Sequence, residues 1–117
     1  MIALEQSGVV SLWVFTQEEK SEDVGKDILK DFCGVELYDI DSQEGVTSPN
    51  PQALDFLIGQ LSYSESFIEP ALASAKRLGI KKAFGIIVQF DFAYDPNKAT
   101  KPISRNPVFL GHFPWHD

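Results

Sequence analysis

The longest strict alternation of side-chain types in the chain lies between Ala83 and Tyr94. Every second position there is aliphatic or aromatic, namely Phe84, Ile86, Val88, Phe90, Phe92 and Tyr94. Successive side chains of a β-strand point to opposite faces, so the pattern predicts a long strand with one apolar face. A chain with such a strand must place it in a sheet and pack other elements against that face.

Three other segments are predicted to be strands. The segment from Val9 to Thr16 is rich in β-branched and aromatic residues on both alternating faces, which favours an interior strand. The sequence "PVFLGHF", residues 107–113, is predicted to return as an antiparallel partner of the long strand. "VELYDI", residues 35–40, is predicted to form a short strand, and "SQEGVTSPNP", residues 42–51, a turn-rich loop.

Three apolar stripes at helical spacing predict three helices. The first ends near Gly34, the second begins at Asn50 and Pro51, and the third begins with a capping box of Ser66 and Glu69 and ends at Gly79. The stripes consist of Val24, Ile28, Leu29 and Phe32; Leu54, Leu57, Ile58 and Leu61; and Phe67, Ala71, Leu72, Ala75 and Leu78. The element order predicts a single α+β domain over residues 1–117, a small antiparallel sheet with about three helices packed on one face.

The charge is negative overall and unevenly distributed. The formal net charge is −7 at pH 7, with acids in excess across residues 17–55 and lysines and arginines in excess across residues 76–105. Nucleic acid and anionic membranes attract basic proteins, so neither is an expected partner. No apolar run approaches the roughly 20 residues of a membrane-spanning helix, and no signal-like segment opens the sequence, so a cytoplasmic location is expected.

The residues offer little for catalysis or for binding a metal or cofactor. Cys33 is the only cysteine, which excludes an internal disulfide and a multi-cysteine metal site. His112 and His116 flank a proline in a strand-like segment and do not have the spacing of a helical metal pair. "DIDSQEG" resembles a calcium loop, but its glycine is one position late and Asn50 replaces the final glutamate. We therefore expect no catalytic residue, cofactor or metal, and no enzyme activity.

Asp23, Asp27 and Asp31 are spaced four apart, so in a helix they would form one row of like charge. Each like-charged pair costs a helix about 0.2 to 0.5 kcal/mol. The row indicates either a solvated face that keeps the chain in solution or a surface for a basic partner. The acidic segment that follows, residues 36–44, also carries Tyr38, a residue type enriched at interfaces.

Four segments together resemble the immunity protein 22 family of bacterial polymorphic toxin systems. They are "SLWVF" at 11–15, "FCGVELYDID" at 32–41, "LSYSESFI" at 61–68 and "IIVQFDFAY" at 86–94, and the likeness spans roughly residues 9–113. The positions that match the family pattern are Trp13, Tyr38, Asp39, Ser62, Tyr63, Ser64, Phe67, Asp91 and Tyr94. Phe15 departs from the pattern, which has a glycine after the tryptophan and its aliphatic neighbour.

The resemblance implies a non-catalytic protein that binds a cognate toxin inside the producing cell and blocks it. Many such toxins are nucleases with basic grooves, and an acidic surface can occupy a basic groove. We therefore expect a basic protein toxin as partner, and the following candidate toxin-binding residues: Asp23, Asp27, Asp31, Glu36, Tyr38, Asp39, Asp41 and Glu44.

Two other functions stay open from the sequence. A small enzyme or ligand-binding domain would have a pocket near Asp91, Tyr94, Tyr63 and His112. An adaptor for some other protein is the second. The sequence leaves open the toxin's identity and the oligomeric state.

Overall fold

The computed structural model describes residues 4–18 and 20–117, and the side chain of Asp23 lies outside the described part. In this part the chain forms four strands, three α-helices and several short 3-10 turns. The elements are β1 (Glu5–Phe15), α1 (Ile28–Phe32), β2 (Gln43–Ala53), α2 (Leu54–Gly59), α3 (Ile68–Arg77), β3 (Lys82–Phe92) and β4 (Val108–Pro114). The strand order is β2-β3-β1-β4, and every neighbouring pair is antiparallel. β4 is thus antiparallel as predicted, but its partner is β1 and not the long strand β3.

The predicted α+β class, a small antiparallel sheet with about three helices, is confirmed. The helices α2 and α3 pack together against one face of the sheet through side chains such as Leu57 and Phe67. The short helix α1 instead contributes Leu29 to a second cluster, around Trp13, on the opposite face. All three helices were predicted to pack on one face of the sheet. Only α2 and α3 share a face, and α1 covers the other.

Strand β1 is an interior strand with two apolar faces, as predicted. Val10, Leu12 and Val14 are fully buried toward α2 and α3. Trp13 points to the other face and is 1% exposed. Because β1 lies between β3 and β4, neither of its long edges meets solvent, which suits a β-branched and aromatic sequence.

The alternation along β3 reverses at Asp91, contrary to the prediction of one continuous apolar face. Asp91 has a φ of 56°, and the register between β1 and β3 shifts at this point. As a result Phe90 packs toward α2 and α3, whereas Phe92 and Tyr94 pack in the Trp13 cluster. A single left-handed residue in a strand thus moves the last two aromatic side chains to the opposite face.

The prediction of a strand at residues 35–40 and a loop at residues 42–51 was wrong. The carboxylate of Asp39 accepts hydrogen bonds from Asp41 N (3.1 Å) and Ser42 Oγ (3.0 Å), which close a 3-10 turn over Ile40–Ser42. The strand follows this turn, as β2. β2 lies at the edge of the sheet, and Pro49 and Pro51 fall where its pairing with β3 is interrupted, between Thr47 and Gln52.

The helices differ from the predictions mainly at their starts. The helix α2 begins at Leu54 instead of Asn50, because β2 continues through Ala53. The predicted capping box of α3 is absent, since the hydroxyl of Ser66 donates to Tyr63 O (2.8 Å). The predicted end of α3 is correct, with Gly79 at a φ of +75° just beyond it.

Candidate protein-binding surface

Asp27 and Asp31 build the start of α1 and do not form the predicted helical row. Asp27 precedes the helix, and its Oδ1 accepts from Lys30 N at 3.1 Å. Asp31 Oδ2 accepts in return from Asp27 N at 2.8 Å. The backbone of Asp23 belongs to a separate 3-10 turn, Ser21–Asp23, and its side chain lies outside the described residues. Gly25, at a φ of +84°, separates that turn from α1, so no single helix carries all three carboxylates.

Tyr38 joins the loop of residues 36–41 to α1. Its hydroxyl donates to Asp27 Oδ1 at 2.7 Å, and its ring is half-buried against the Trp13 cluster. Burial, followed by the hydrogen bond to Asp27, raises the pKa of Tyr38, so its hydroxyl keeps its proton as the donor. The structure therefore brings Asp27, Asp31 and Tyr38 together at the start of α1.

Asp39, Asp41 and Glu36 extend this group along the loop. The carbonyl oxygen of Asp39 accepts from Gln89 Nε2 at 2.7 Å, which attaches the loop to β3. The carboxylate of Asp39 is used within its own turn, whereas Glu36 and Asp41 are exposed. The carboxylates of Asp27, Asp31 and Asp39 accept hydrogen bonds from backbone amides and hydroxyl groups. We call these residues the acidic surface: Asp27, Asp31, Glu36, Tyr38, Asp39 and Asp41.

Glu44 lies on the opposite face of the sheet from Tyr38. It pairs with Val88 in β3, so its side chain points toward α2 and α3. Its Oε1 accepts from Ser62 N at 2.9 Å. Its neighbour Gln43 points to the other face and donates to Gln89 Oε1 at 3.3 Å. Glu44 is therefore adjacent to the acidic surface along β2 but is not a continuous part of it.

Two exposed aliphatic side chains lie in the loop of residues 36–41, which we call the acidic loop. Leu37 is 58% exposed and Ile40 is 60% exposed. Sequence reasoning missed them because it assigned both to a strand, where each would have had a packing partner. Their neighbours in sequence are the acids Glu36, Asp39 and Asp41, so this loop presents exposed apolar and acidic side chains together.

The four residues proposed for a ligand pocket do not line one cavity. Tyr94 is buried on the Trp13 face, where its hydroxyl donates to Cys33 O at 2.5 Å. The carboxylate of Asp91 accepts from Gly8 N (2.8 Å) and from Trp115 Nε1 (3.1 Å). Tyr63 also contacts Trp115, whereas His112 is exposed on β4.

A cleft of about 890 Å³ lies elsewhere, between α1 and the sheet. Its lining includes Phe15, Ile28, Phe32, Gly45, Ile87 and Arg105. Among the side chains that the structure describes, none of the candidate toxin-binding residues and none of the four proposed pocket residues belongs to its lining.

Comparison with known proteins yields no match: no family model, no curated protein and no solved structure is similar to the chain. Within the described ranges, no helix combines the length and apolar character needed to cross a membrane. Among the same residues, no three histidine, cysteine or acidic side chains are grouped so as to hold a metal ion.

Proposed function

We propose that this protein is a bacterial immunity protein that binds a basic toxin inside the producing cell and neutralises it without catalysis. The observation that carries the proposal is the hydrogen bond between Tyr38 and Asp27, which unites the acidic loop and α1 in one surface. Resemblance to the immunity protein 22 family supports the same function, because such proteins act by covering a toxin.

Electrostatics supports a basic partner. Asp27, Asp31 and Asp39 accept hydrogen bonds from backbone amides and hydroxyl groups, which are neutral donors, so these contacts add no positive charge to the surface. A fixed negative surface speeds encounter with a basic protein and penalises acidic ones, especially at low salt. A toxin that holds phosphate groups needs a basic groove, so a nuclease is the toxin class that fits best.

The exposed aliphatic side chains of Leu37 and Ile40 support binding over mere solubility. A surface selected only to keep the chain in solution has no use for two large apolar groups among its acids. In a complex these groups would be desolvated at the centre, and Glu36 and Asp41 would pair with cations around them.

Co-expression with a toxin tests the proposal. The candidate toxin is a C-terminal domain of the large secreted protein that an adjacent reading frame would encode. The protein should rescue cells that express this domain in the cytoplasm. The double variant Glu36→Lys/Asp41→Lys should abolish rescue, because it reverses two exposed charges whose carboxylates take part in no hydrogen bond within the described structure.

The matched control is Asp55→Lys/Glu69→Lys, which makes the same change of charge on exposed positions of α2 and α3. Circular dichroism should show that both variants fold. Rescue that survives the first variant, or that both variants abolish equally, would refute the acidic surface as the binding site. Absence of any such toxin beside the gene, with a metabolic operon in its place, would count against the function itself.

A further inference from the structure

Trp115 contacts two residues with an unusual backbone. Tyr63 and Asp91 have φ angles of 58° and 56°, and within the described residues only these two non-glycine positions have positive φ. The ring centroids of Tyr63 and Trp115 are 5.0 Å apart, and Trp115 Nε1 donates to Asp91 Oδ1 at 3.1 Å. A left-handed tyrosine is disfavoured, and it persists only where the surroundings hold it there.

The backbone of Tyr63 places an aromatic ring at the surface on a rigid base. Tyr63 is 50% exposed, and its ring packs edge-on against Phe90, with the ring centroids 6.1 Å apart. Trp115 packs against the same Phe90 at 5.1 Å. Phe90 is almost buried, and the rings of Tyr63 and Trp115 both pack against it on its outer side. The result is a fixed aromatic platform that is partly open to solvent.

The segments that meet at this platform carry acids and no lysine or arginine. They are residues 4–8, 43–46, 59–67, 86–92 and 110–117, and their acidic residues are Glu5, Glu44, Glu65, Asp91 and Asp117. Glu44 is held next to the platform, because its carboxylate accepts from the amide of Ser62, the residue before Tyr63. We call Tyr63, Phe90, Trp115, Glu44 and Asp91 the aromatic patch.

The aromatic patch and the acidic surface lie at the same end of the sheet. Gln43 pairs with Gln89 in the sheet, and Gln89 also holds the carbonyl of Asp39. Phe90 and Asp91 directly follow Gln89, and Glu44 directly follows Gln43. One partner that covers the start of β2 could therefore touch both regions.

We propose that the aromatic patch binds an arginine side chain of the basic partner, with the guanidinium stacked on Tyr63 and paired with Glu44. A planar guanidinium both stacks on aromatic rings and bonds carboxylates, whereas an ammonium group does only the second well. This inference rests on the proposed function for the identity of the partner. The preference for arginine over lysine, however, is a property of the patch alone.

The test uses the full chain and two peptides of equal length, oligo-arginine and oligo-lysine, at low salt. Tryptophan fluorescence reports binding at the patch, because Trp13 is 1% exposed and Trp115 is the other tryptophan. We expect oligo-arginine to bind about two- to fivefold more tightly than oligo-lysine, the range for a cation stacked on an exposed ring. Tyr63→Leu should remove this preference and leave oligo-lysine binding unchanged.

Phe56→Leu is the matched control, since Phe56 is also an exposed aromatic residue, 58% exposed, but lies on α2 outside the patch. It should keep the preference. Tyr63→Gly suits the left-handed backbone, so it should lose the preference while it keeps its thermal stability. Equal affinity for the two peptides, or a preference that survives both Tyr63 variants, would overturn the inference.

Toxin rescue separates this inference from the proposed function. If the wild-type protein rescues cells and the peptides bind equally, the inference fails and the immunity function stands. If the peptides show the preference and no basic toxin is found, the arginine site stands and the immunity function fails.

Discussion

The hydroxyl of Tyr38 lies 2.7 Å from Asp27 Oδ1, so a side chain from the acidic loop bonds to the residue that caps α1. The same Asp27 oxygen also accepts from Lys30 N. The start of α1 and the loop of residues 36–41 therefore share one carboxylate as their acceptor. The acidic surface that we propose to bind the partner depends on the position of this carboxylate.

Tyr38→Phe should lower the free energy of unfolding by about 1 kcal/mol, because Asp27 then loses a partly buried hydrogen bond. Urea unfolding measures the change. Tyr63→Phe is the control, since no residue in the described structure accepts from the Tyr63 hydroxyl, and it should change stability by less than about 0.5 kcal/mol. Equal effects of the two variants would contradict the role of the bond.

Gly34→Ala should destabilise the fold by about 3 kcal/mol or more. Its φ is +70°, and an added Cβ would lie 2.5 Å from Lys101 O and 2.8 Å from Ala99 Cβ. Gly59→Ala, within α2 and with nothing within 4 Å of the added Cβ, should stabilise by about 0.5 to 1 kcal/mol. Thermal melting of both variants checks the opposite signs.

Stability should fall in alkali as Cys33 is forced to ionise. Burial raises the pKa of Cys33 from 9.0 to about 12, with a smaller contribution from Asp27. A raised pKa means that the folded state holds its proton more tightly, so the contribution to stability is complete below pH 9. It should decline between pH 9 and pH 12. Urea midpoints across this range should decrease, and a flat profile would show that Cys33 is more accessible than its 1% exposure indicates.

Asp91→Val should destabilise the fold by more than about 2 kcal/mol. A β-branched residue is strongly disfavoured at positive φ, and Gly8 N and Trp115 Nε1 would both lose their acceptor. Asp91→Asn keeps an acceptor oxygen and a side chain that tolerates this backbone, so it should cost less than about 1 kcal/mol. Chemical unfolding compares the pair, and similar losses would mean that the backbone at Asp91 is not the constraint.

Leu37→Ser/Ile40→Ser should leave stability nearly unchanged, because both side chains are already exposed. The same variant should weaken binding of the proposed toxin by at least about tenfold, since tenfold corresponds to about 1.4 kcal/mol and burial of even one aliphatic side chain contributes roughly 1.5 to 3 kcal/mol. Calorimetry with the toxin domain measures the change. Leu78→Ser, at a position 53% exposed after α3, is the control and should bind like the wild type.

The sequence predicted the elements whose pattern is set by local packing. Strand β1, strand β3 as far as Phe90, and the buried sides of α2 and α3 follow the apolar periodicity closely. Strand β2 was not predicted, because an edge strand needs hydrogen-bond partners on one side only and therefore tolerates Pro49 and Pro51. The reversal of the alternation at Asp91 was not predicted because it depends on Trp115, which is distant in sequence. The indole of Trp115 donates a hydrogen bond to the Asp91 carboxylate.

The candidate surface was predicted in part. The contact of Tyr38 with Asp27 agrees with one acidic surface, although a helical row was the wrong reason for it. The pattern of charges could not show that the side chain of Glu44 lies on the opposite face of the sheet from Tyr38. That placement depends on the register of β2, which was predicted to be a loop. Exposure of Leu37 and Ile40 was hidden by the same error.

The prolines of the two outermost strands affect how copies of this chain meet in a crowded cell. Pro49 and Pro51 in β2 and Pro114 at the end of β4 have no amide hydrogen to offer an incoming strand. A neighbouring molecule therefore finds an interrupted ladder at either border of the sheet, which hinders fibril growth by strand addition. Copies of this chain can thus reach high concentration without one sheet serving as the template for another.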